Sequence, residues 1–416
     1  MTIWSPQWRI LVNNTNVTNF TLINLTITSG RNDINSQPNA GYCQIELINL
    51  NNANYGFKIN DAVTIELKDS SNTYVPIFGG KISDVSIGLR STGNSAYVTS
   101  YNITALGAIA KLQKAVWEGA LTQDDDGDQI WVILSDLLLN MWNEVSASQT
   151  WATYNATTTW NDAEDIGLGE VDRPGQYEME QRAASPIDYY TIVSQIANSA
   201  LGYIYEDANG NIGYADSAHR TTYLAANGYV ELSANDALAS GIRTSTRQGS
   251  IVNSYVLNYG NNFNSQKTAS DTNSAALYGR YQQTDNSLVH DATDAQAIAD
   301  RYVDLRAYPR ALFERITFAL QSPEIDDSDR DNLLNVFMGM PVRITDLPAL
   351  INGGGFEGYV EGWTWRASVS GLSLDLTVSP SEFSAVAQNW DQVNASEKWN
   401  TLLNTLEWQD AIGVIS

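Results

Sequence analysis

Cysteine is nearly absent from this sequence. Cys43 stands alone among 416 residues, which excludes an internal disulfide, a CxxC redox pair and a zinc site built from several cysteines. In the run Tyr42-Cys43-Gln44-Ile45-Glu46-Leu47 the lone thiol reads as a small buried apolar residue. Histidine is almost as scarce, with only His219 and His290 present. That leaves little material for a Ser-His-Asp or Cys-His constellation, and neither GxSxG nor HExxH occurs. His219, beside Arg220, reads as a surface-loop residue, and His290 as lying just before a helix. No apolar run reaches membrane-spanning length, and the N-terminal residues lack a charged head followed by a long apolar core. Neither membrane insertion nor Sec-type export is expected. The Asn-x-Ser/Thr sequons at Asn13, Asn16, Asn19, Asn24 and Asn155 then reflect Asn/Thr-rich composition. Basic charge is also short: 23 Lys and Arg face 47 Asp and Glu, a formal net charge of −24. Such a surface repels a phosphate backbone and argues against DNA binding in the usual sense.

What is present fits a globular β-rich chain. The acids are spread along the sequence, and 43% of residues are hydrophobic, so disorder is not the reading. Twelve Trp and 21 Tyr suit large interfaces or sugar-binding surfaces as well as cores. Glycosidase chemistry needs only two carboxylates, but no pair stands out, and the acids read as solvated surface. Gly353 to Gly355 lack the Lys and helix of a phosphate-cradling loop. The run Asp124 to Asp128 is similar to the start of a calcium loop, yet the closing Glu position holds Ser135. Its acids read instead as helix N-terminal charge. No cofactor and no metal are expected.

Residues 1–115 read as strands: Trp8 to Val12, Val17 to Thr28, Tyr42 to Leu50, Ala62 to Leu67, Ile77 to Ile87 and Tyr97 to Leu106. Gly30 to Tyr42 reads as an irregular connection, and Ala105 to Val116 as briefly helical. Gln129 to Val145 carries Ile130, Ile133, Leu134, Leu137, Leu138 and Met141 at helical spacing. Gln149 to Glu180 reads as loop. Ser185 reads as the N-cap of a second helix with Pro186 at its first position. Leu201 to Asp216 reads as a hairpin turning over Asp207 to Asn211, its acids serving as turn formers rather than catalysts. Strands resume at Ile251 to Tyr259, and the polar stretch to Leu288 reads as a long exposed loop. Thr293 to Gln296 reads as a capping box for a helix to about Ala307, and Ala311 to Leu320 as sheet again. In the last segment Trp399, Leu402, Leu403 and Leu406 share a helical face, with Trp390 and Trp408 outside it, so this tail is expected to dock.

The most informative feature is an internal echo. Ile77 to Val85, IFGGKISDV, lies at the centre of a stretch from Phe57 to Ile103 that is repeated in outline between Val336 and Val378. Phe78, Gly80 and Ile82 correspond to Phe356, Gly358 and Val360. Val63-Thr64-Ile65 corresponds to Val342-Arg343-Ile344, Gln44 to Leu47 to Arg315 to Phe318, and Tyr97 to Ile103 to Leu372 to Val378. Glycine within period-two spacing predicts a bulge or a close backbone approach, the device that curls an antiparallel sheet toward a barrel.

Several stretches carry a family resemblance: ITSGRNDINSQPNAGYCQIEL (with Gly30-Arg31, Gln37-Pro38 and Ala40-Gly41), FGGKISDV, ALGAIAKL, GYIYEDANGNIGYAD and the ending WNTLLNTLEWQD. They resemble the hub proteins of bacteriophage tails, both minor tail proteins of long-tailed phages and baseplate hubs of contractile tails. The resemblance implies a mainly β fold with an α+β insert. Two related antiparallel β-barrel domains of tail-tube type, 1–115 and 246–384, would flank a helix-and-hairpin domain, 116–245. The second barrel would carry a helix near 291–307, and 385–416 would be a C-terminal helical docking segment. Phe78, Gly80, Ile82, Phe356, Gly358 and Val360 would shape the barrels, while Trp390, Trp399, Leu402, Leu403, Leu406 and Trp408 would meet a partner. The resemblance further implies a non-enzymatic homotrimer in the virion, at a tail tip or baseplate assembled in the host cytoplasm. Six barrels from three chains would join the hexameric tail tube or distal tail protein above to a fibre or spike below. DNA would pass through an acidic channel without specific binding. Two alternatives remain open at this stage: a carbohydrate-binding or glycan-degrading tail protein, and a hexameric distal tail ring protein.

Overall fold

The computed structural model describes residues 4–91, 97–137, 152–153, 170–237, 242–309, 311–351, 354–369 and 371–381. The docking segment with Trp390, Trp399, Leu402, Leu403, Leu406 and Trp408 lies outside them, as do Leu138 and Met141. The first part is antiparallel sheet: β1 (Trp8–Val12), β2 (Thr15–Val17), β3 (Phe20–Gly30), β4 (Tyr42–Asn49), β5 (Ala62–Lys68), β6 (Tyr74–Ser91) and β7 (Tyr97–Leu106). Alternation dictates which face is buried. In β4, Cys43, Ile45, Leu47 and Asn49 turn inward, and the thiol is fully buried. The single strand expected over Val17 to Thr28 is two, because Asn19 at φ 61° makes a left-handed turn between them.

The middle of the chain is mixed: α1 (Ile109–Leu112), β8 (Val116–Trp117), β9 (Asp124–Asp125), α2 (Asp126–Asp136), β10 (Ala152–Thr153), β11 (Glu170–Val171), β12 (Glu178–Met179) and β13 (Ile187–Asp188). These lead into α3 (Tyr189–Ser199), the hairpin β14 (Tyr203–Glu206) and β15 (Ile212–Ala215), α4 (His219–Asn227) and β16 (Val230–Ser233). Three expectations are corrected here. Helix α2 begins at Asp126 rather than Gln129. Ser185 is not the N-cap of α3, because Ile187 and Asp188 first pair with β8, after which the Asp188 carboxylate accepts the Thr191 N–H at 2.7 Å. His219 is buried at 2% exposure on α4 rather than lying in a surface loop, its Nδ1 2.8 Å from Asp172 Oδ2.

The remainder comprises β17 (Arg243–Thr246), β18 (Ser254–Tyr259), β19 (Ser265–Ser270), α5 (Thr272–Tyr278), β20 (Gln282–Asn286), α6 (Ala292–Arg306), β21 (Ala311–Ala319), α7 (Asp327–Leu334), β22 (Pro341–Thr345), β23 (Phe356–Ser368) and β24 (Gly371–Pro380). The stretch expected as a long exposed loop after Tyr259 instead supplies β19, α5 and β20, and the two strands flank β18 in a three-stranded sheet, β19-β18-β20. Its outer strands are mostly exposed polar residues, so they show no apolar alternation. The cap of α6 is Asp291, which accepts from Thr293 N at 2.6 Å and Asp294 N at 3.3 Å, so the box at Thr293 starts two residues late.

Among the described residues two hydrophobic cores result. One lies under a 13-stranded sheet that runs β17-β21-β24-β23-β3-β4-β7-β6-β5-β1-β2, with β22 and β16 branching from β23. The other gathers α1, α2, α3, β18 and α6 around Tyr189, Tyr214, Ile196 and Ile298. None of the described helices is long and apolar enough to cross a membrane.

Candidate assembly interface

The echo in sequence is a repeat in strand pairing. β4, β7, β6 and β5 recur as β21, β24, β23 and β22 in the same neighbour order. In the first copy Val63 pairs with Gly80 and Ile65 with Phe78; in the second Val342 pairs with Gly358 and Ile344 with Phe356. Ile82 opposite Ala105 is followed by a register shift, and so is Val360 opposite Val378. Ser83 and Glu361 therefore occupy the same bulge position. Ile45 pairs with Ile103 as Ile316 pairs with Leu376, so the expected match of Tyr97 to Ile103 with Leu372 to Val378 is corrected by two residues: Ile103 stands where Leu376 stands, and Ala105 where Val378 stands. Phe78, Ile82, Phe356 and Val360 are all buried in the core beneath the large sheet. The glycines between them are sterically required. A Cβ on Gly80 would lie 2.4 Å from the Leu106 carbonyl oxygen, and one on Gly358 2.2 Å from that of Ser379.

The two copies are joined edge to edge. Beyond its bulge β23 pairs with β3, from Gly362 opposite Gly30 to Ser368 opposite Asn24. One face of this junction buries Trp363, Trp365, Ile27 and Leu25. The opposite face is polar, and its arginines are paired: Arg90 with Glu46, and Arg366 and Arg315 with Asp375.

The bulge residue Glu361 fastens the junction. Its carbonyl oxygen accepts the Arg31 N–H at 2.8 Å, and its carboxylate receives Arg31 Nε at 2.6 Å and Arg220 at 2.7 and 2.8 Å. Ser379 also donates to this carboxylate, and the Arg220 guanidinium lies over the Tyr203 and Tyr359 rings. Burial alone would raise the pKa of Glu361, but the guanidiniums of Arg220 and Arg31 outweigh it and hold the carboxyl well below the usual range. Three segments distant in sequence thus meet at one ion cluster: the irregular connection after β3, helix α4 and β23.

A second fastening gathers the stretches ALGAIAKL, Ala40-Gly41 and GYIYEDANGNIGYAD. Glu206 of β14 accepts N–H bonds from Gly41 and, at 2.9 Å, from Ile109. Gly107 is glycine because a Cβ there would sit 2.2 Å from the Glu206 carboxylate. Burial pushes the Glu206 pKa up to about 7 against the pull of these N–H donors. The hairpin acids therefore divide. Asp207 forms the turn by accepting from Asn209 and Asn211, whereas Glu206 ties the hairpin to the sheet. Gln37 completes the join, bonding Asn198, Gly202 and Ile204.

The Asp124–Asp128 run divides between β9 and α2. Asp126 is fully buried, accepting Gln176 N and Tyr177 N at 2.8 Å and the Tyr214 hydroxyl at 2.5 Å, and burial raises its pKa to about 6. Near it Asp172 accepts from Asp216 N at 2.8 Å and faces His219. These buried contacts between segments far apart in sequence were invisible to spacing arguments. The signal nearest to hand was the density of glycine and acid in the motifs that converge.

By sequence, no protein-family model and no curated protein matches this chain. Solved structures do. The 43 kDa tail protein of prophage MuSo2 from Shewanella oneidensis aligns over 92% of this chain and 100% of its own, with a TM-score of 0.57 at 10% identity. A tail protein from Neisseria meningitidis MC58 aligns over 92% and 98%, with a TM-score of 0.56 at 10% identity.

Proposed function

This chain shares its fold with phage tail proteins, and from that premise we propose that it is a structural hub of a tail tip or baseplate. Three copies would form a ring that adapts a sixfold tail tube or distal tail protein to a threefold fibre or spike. The observation that carries this reading is the repeat of strand order, register and bulge within one chain. A chain with two equivalent units supplies six from three copies, which is what a symmetry adapter needs. The formal charge of −24 supports passage of DNA without adhesion. Pairing of Arg90, Arg315 and Arg366 with carboxylates supports the polar face of the sheet as the side toward that passage. The strands of the large sheet, β16 and β17 among them, would carry the ring; the second core, which takes β18, β19, β20 and α6 out of the expected 246–384 barrel, would be the outward-facing insert, and 385–416 the contact to the distal fibre. The mass of the native particle tests this. Three chains of 45.7 kDa are expected; six chains would support a distal tail ring protein instead, and a monomer that binds host polysaccharide would sink both.

A further inference from the structure

Two edges of the sheet lack the neighbour that their counterparts have. β23 beyond its bulge lies between β24 and β3, and its inward row Trp363, Trp365 and Ala367 is 5%, 0% and 6% exposed. β6 beyond the matching bulge has β7 on one side and, among the described residues, no strand on the other. Counted from the bulges, Val85, Ile87 and Leu89 stand where Trp363, Trp365 and Ala367 stand. Val85 and Ile87 are paired with the buried Ile103 and Tyr101, so the row belongs to the apolar face. Yet Ile87 is 63% exposed and Leu89 73%, with Tyr97 beside them at 59%. A long apolar edge of this kind is a template for strand pairing that a protein acting alone would cover or charge.

The other edge is β17. It runs along β21 as β3 runs along β4, with a register shift after Arg243 that sets Thr244 opposite the buried Phe313, so Arg243, Thr244 and Ser245 stand where Thr26, Ile27 and Thr28 stand. β3 has β23 on its second side, whereas β17 has, among the described residues, nothing there. The pairing that joins copy one to copy two within the chain is thus available once more, with its two halves at opposite ends of the repeat.

We propose that the β6 edge from Val85 to Leu89 pairs with Ile242 to Thr246 of a second copy of this chain, in the register that β23 makes with β3. The proposal rests on the hub reading and gives that ring its contact. Because the two edges are different surfaces, the association is head-to-tail and closes into a ring when the step between units fits. The register is specific. Thr364 lies opposite Thr28, hydroxyls 3.3 Å apart, so Ser86 lies opposite Ser245 of the neighbouring chain. Ile87 and Leu89 then lie opposite Thr244 and Ile242, as Trp365 and Ala367 lie opposite Ile27 and Leu25.

Paired cysteines test the register, since Cys43 is fully buried and will not compete. In a variant carrying Ser86→Cys and Ser245→Cys, oxidation should link chains into covalent dimers and trimers on a non-reducing gel, while each single variant stays unlinked. Ile87→Lys with Leu89→Lys alters only residues exposed in the single chain, so the far-ultraviolet spectrum should be unchanged while the particle falls to one chain. A trimeric wild type whose double-cysteine variant does not cross-link and whose Ile87→Lys, Leu89→Lys variant does not dissociate overturns this edge assignment and leaves the hub reading standing. A wild-type particle of one or six chains overturns both.

Discussion

Replacing Glu361 by Gln keeps the shape of the central bulge residue and removes its charge. The carboxylate is 1% exposed, and the side chains of Arg31 and Arg220 that grip it are 4% and 5% exposed. Both guanidiniums would keep their burial and lose the charge of Glu361. Removing one partner from a buried ion cluster costs about 3–5 kcal/mol. With two arginines left, a loss of about 4 kcal/mol is expected, roughly a thousandfold in the unfolding equilibrium at about 1.4 kcal/mol per decade. Exchanging the whole cluster for apolar residues of similar volume, Arg31→Met, Arg220→Met and Glu361→Leu together, should recover most of it, because no charge is then stranded. Urea unfolding followed by tryptophan fluorescence reads this out, since Trp363 and Trp365 are buried on the same strand. The pH dependence has a definite sign. The folded-state pKa of Glu361 lies below its ordinary value of 4.5, so its contribution is complete above that value and is lost as pH falls toward the folded one. The gap between wild type and Glu361→Gln should be constant from neutrality down to about pH 5 and narrow below it. A loss under about 1 kcal/mol at neutral pH, or a gap that widens on acidification, would refute the assignment of this cluster as the fastening of the junction.

Glu206 carries the opposite sign: its folded-state pKa of about 7 exceeds the ordinary 4.5, so its contribution is complete below 4.5 and declines as pH rises toward 7. Urea midpoints of Glu206→Gln should lack that decline, which amounts to about 3 kcal/mol at about 1.4 kcal/mol per unit; an identical slope in both proteins would contradict it. Gly358→Ala and Gly80→Ala should each lower thermal stability, by about 1–3 kcal/mol for a forced backbone shift. Gly249→Ala, whose Cβ would meet nothing within 4 Å, should stay within about 0.5 kcal/mol. Asp291→Ala should cost about 1 kcal/mol through loss of the α6 cap, measurable by the same melt.

Much of the sheet was legible because its strands alternate. β1, β4, β5 and β7 fall within one or two residues of the runs of β-branched and aromatic residues, and the matched glycines carried the repeat across nearly 280 positions as pairing register. The segments that were not legible share a physical reason. β19, β20 and α7 present few apolar residues, since they lie at edges or on the surface. The buried His219, Glu206 and Arg220 were hidden differently. A charged residue is read as surface until its partner is found, and their partners stand 47, 97 and 141 residues away. The strand expected over Ile77 to Ile87 stops short of Leu89, and only the buried counterparts Trp365 and Ala367 reveal that a neighbour is missing.

Imaging of purified particles viewed down their axis tests the hub account most directly. Three chains should appear as a ring of six nearly equivalent lobes that averages better under threefold than sixfold symmetry, because β1 pairs antiparallel with β5 whereas its counterpart β16 pairs parallel with β22. A ring built from six chains, or particles with no ring, would contradict it.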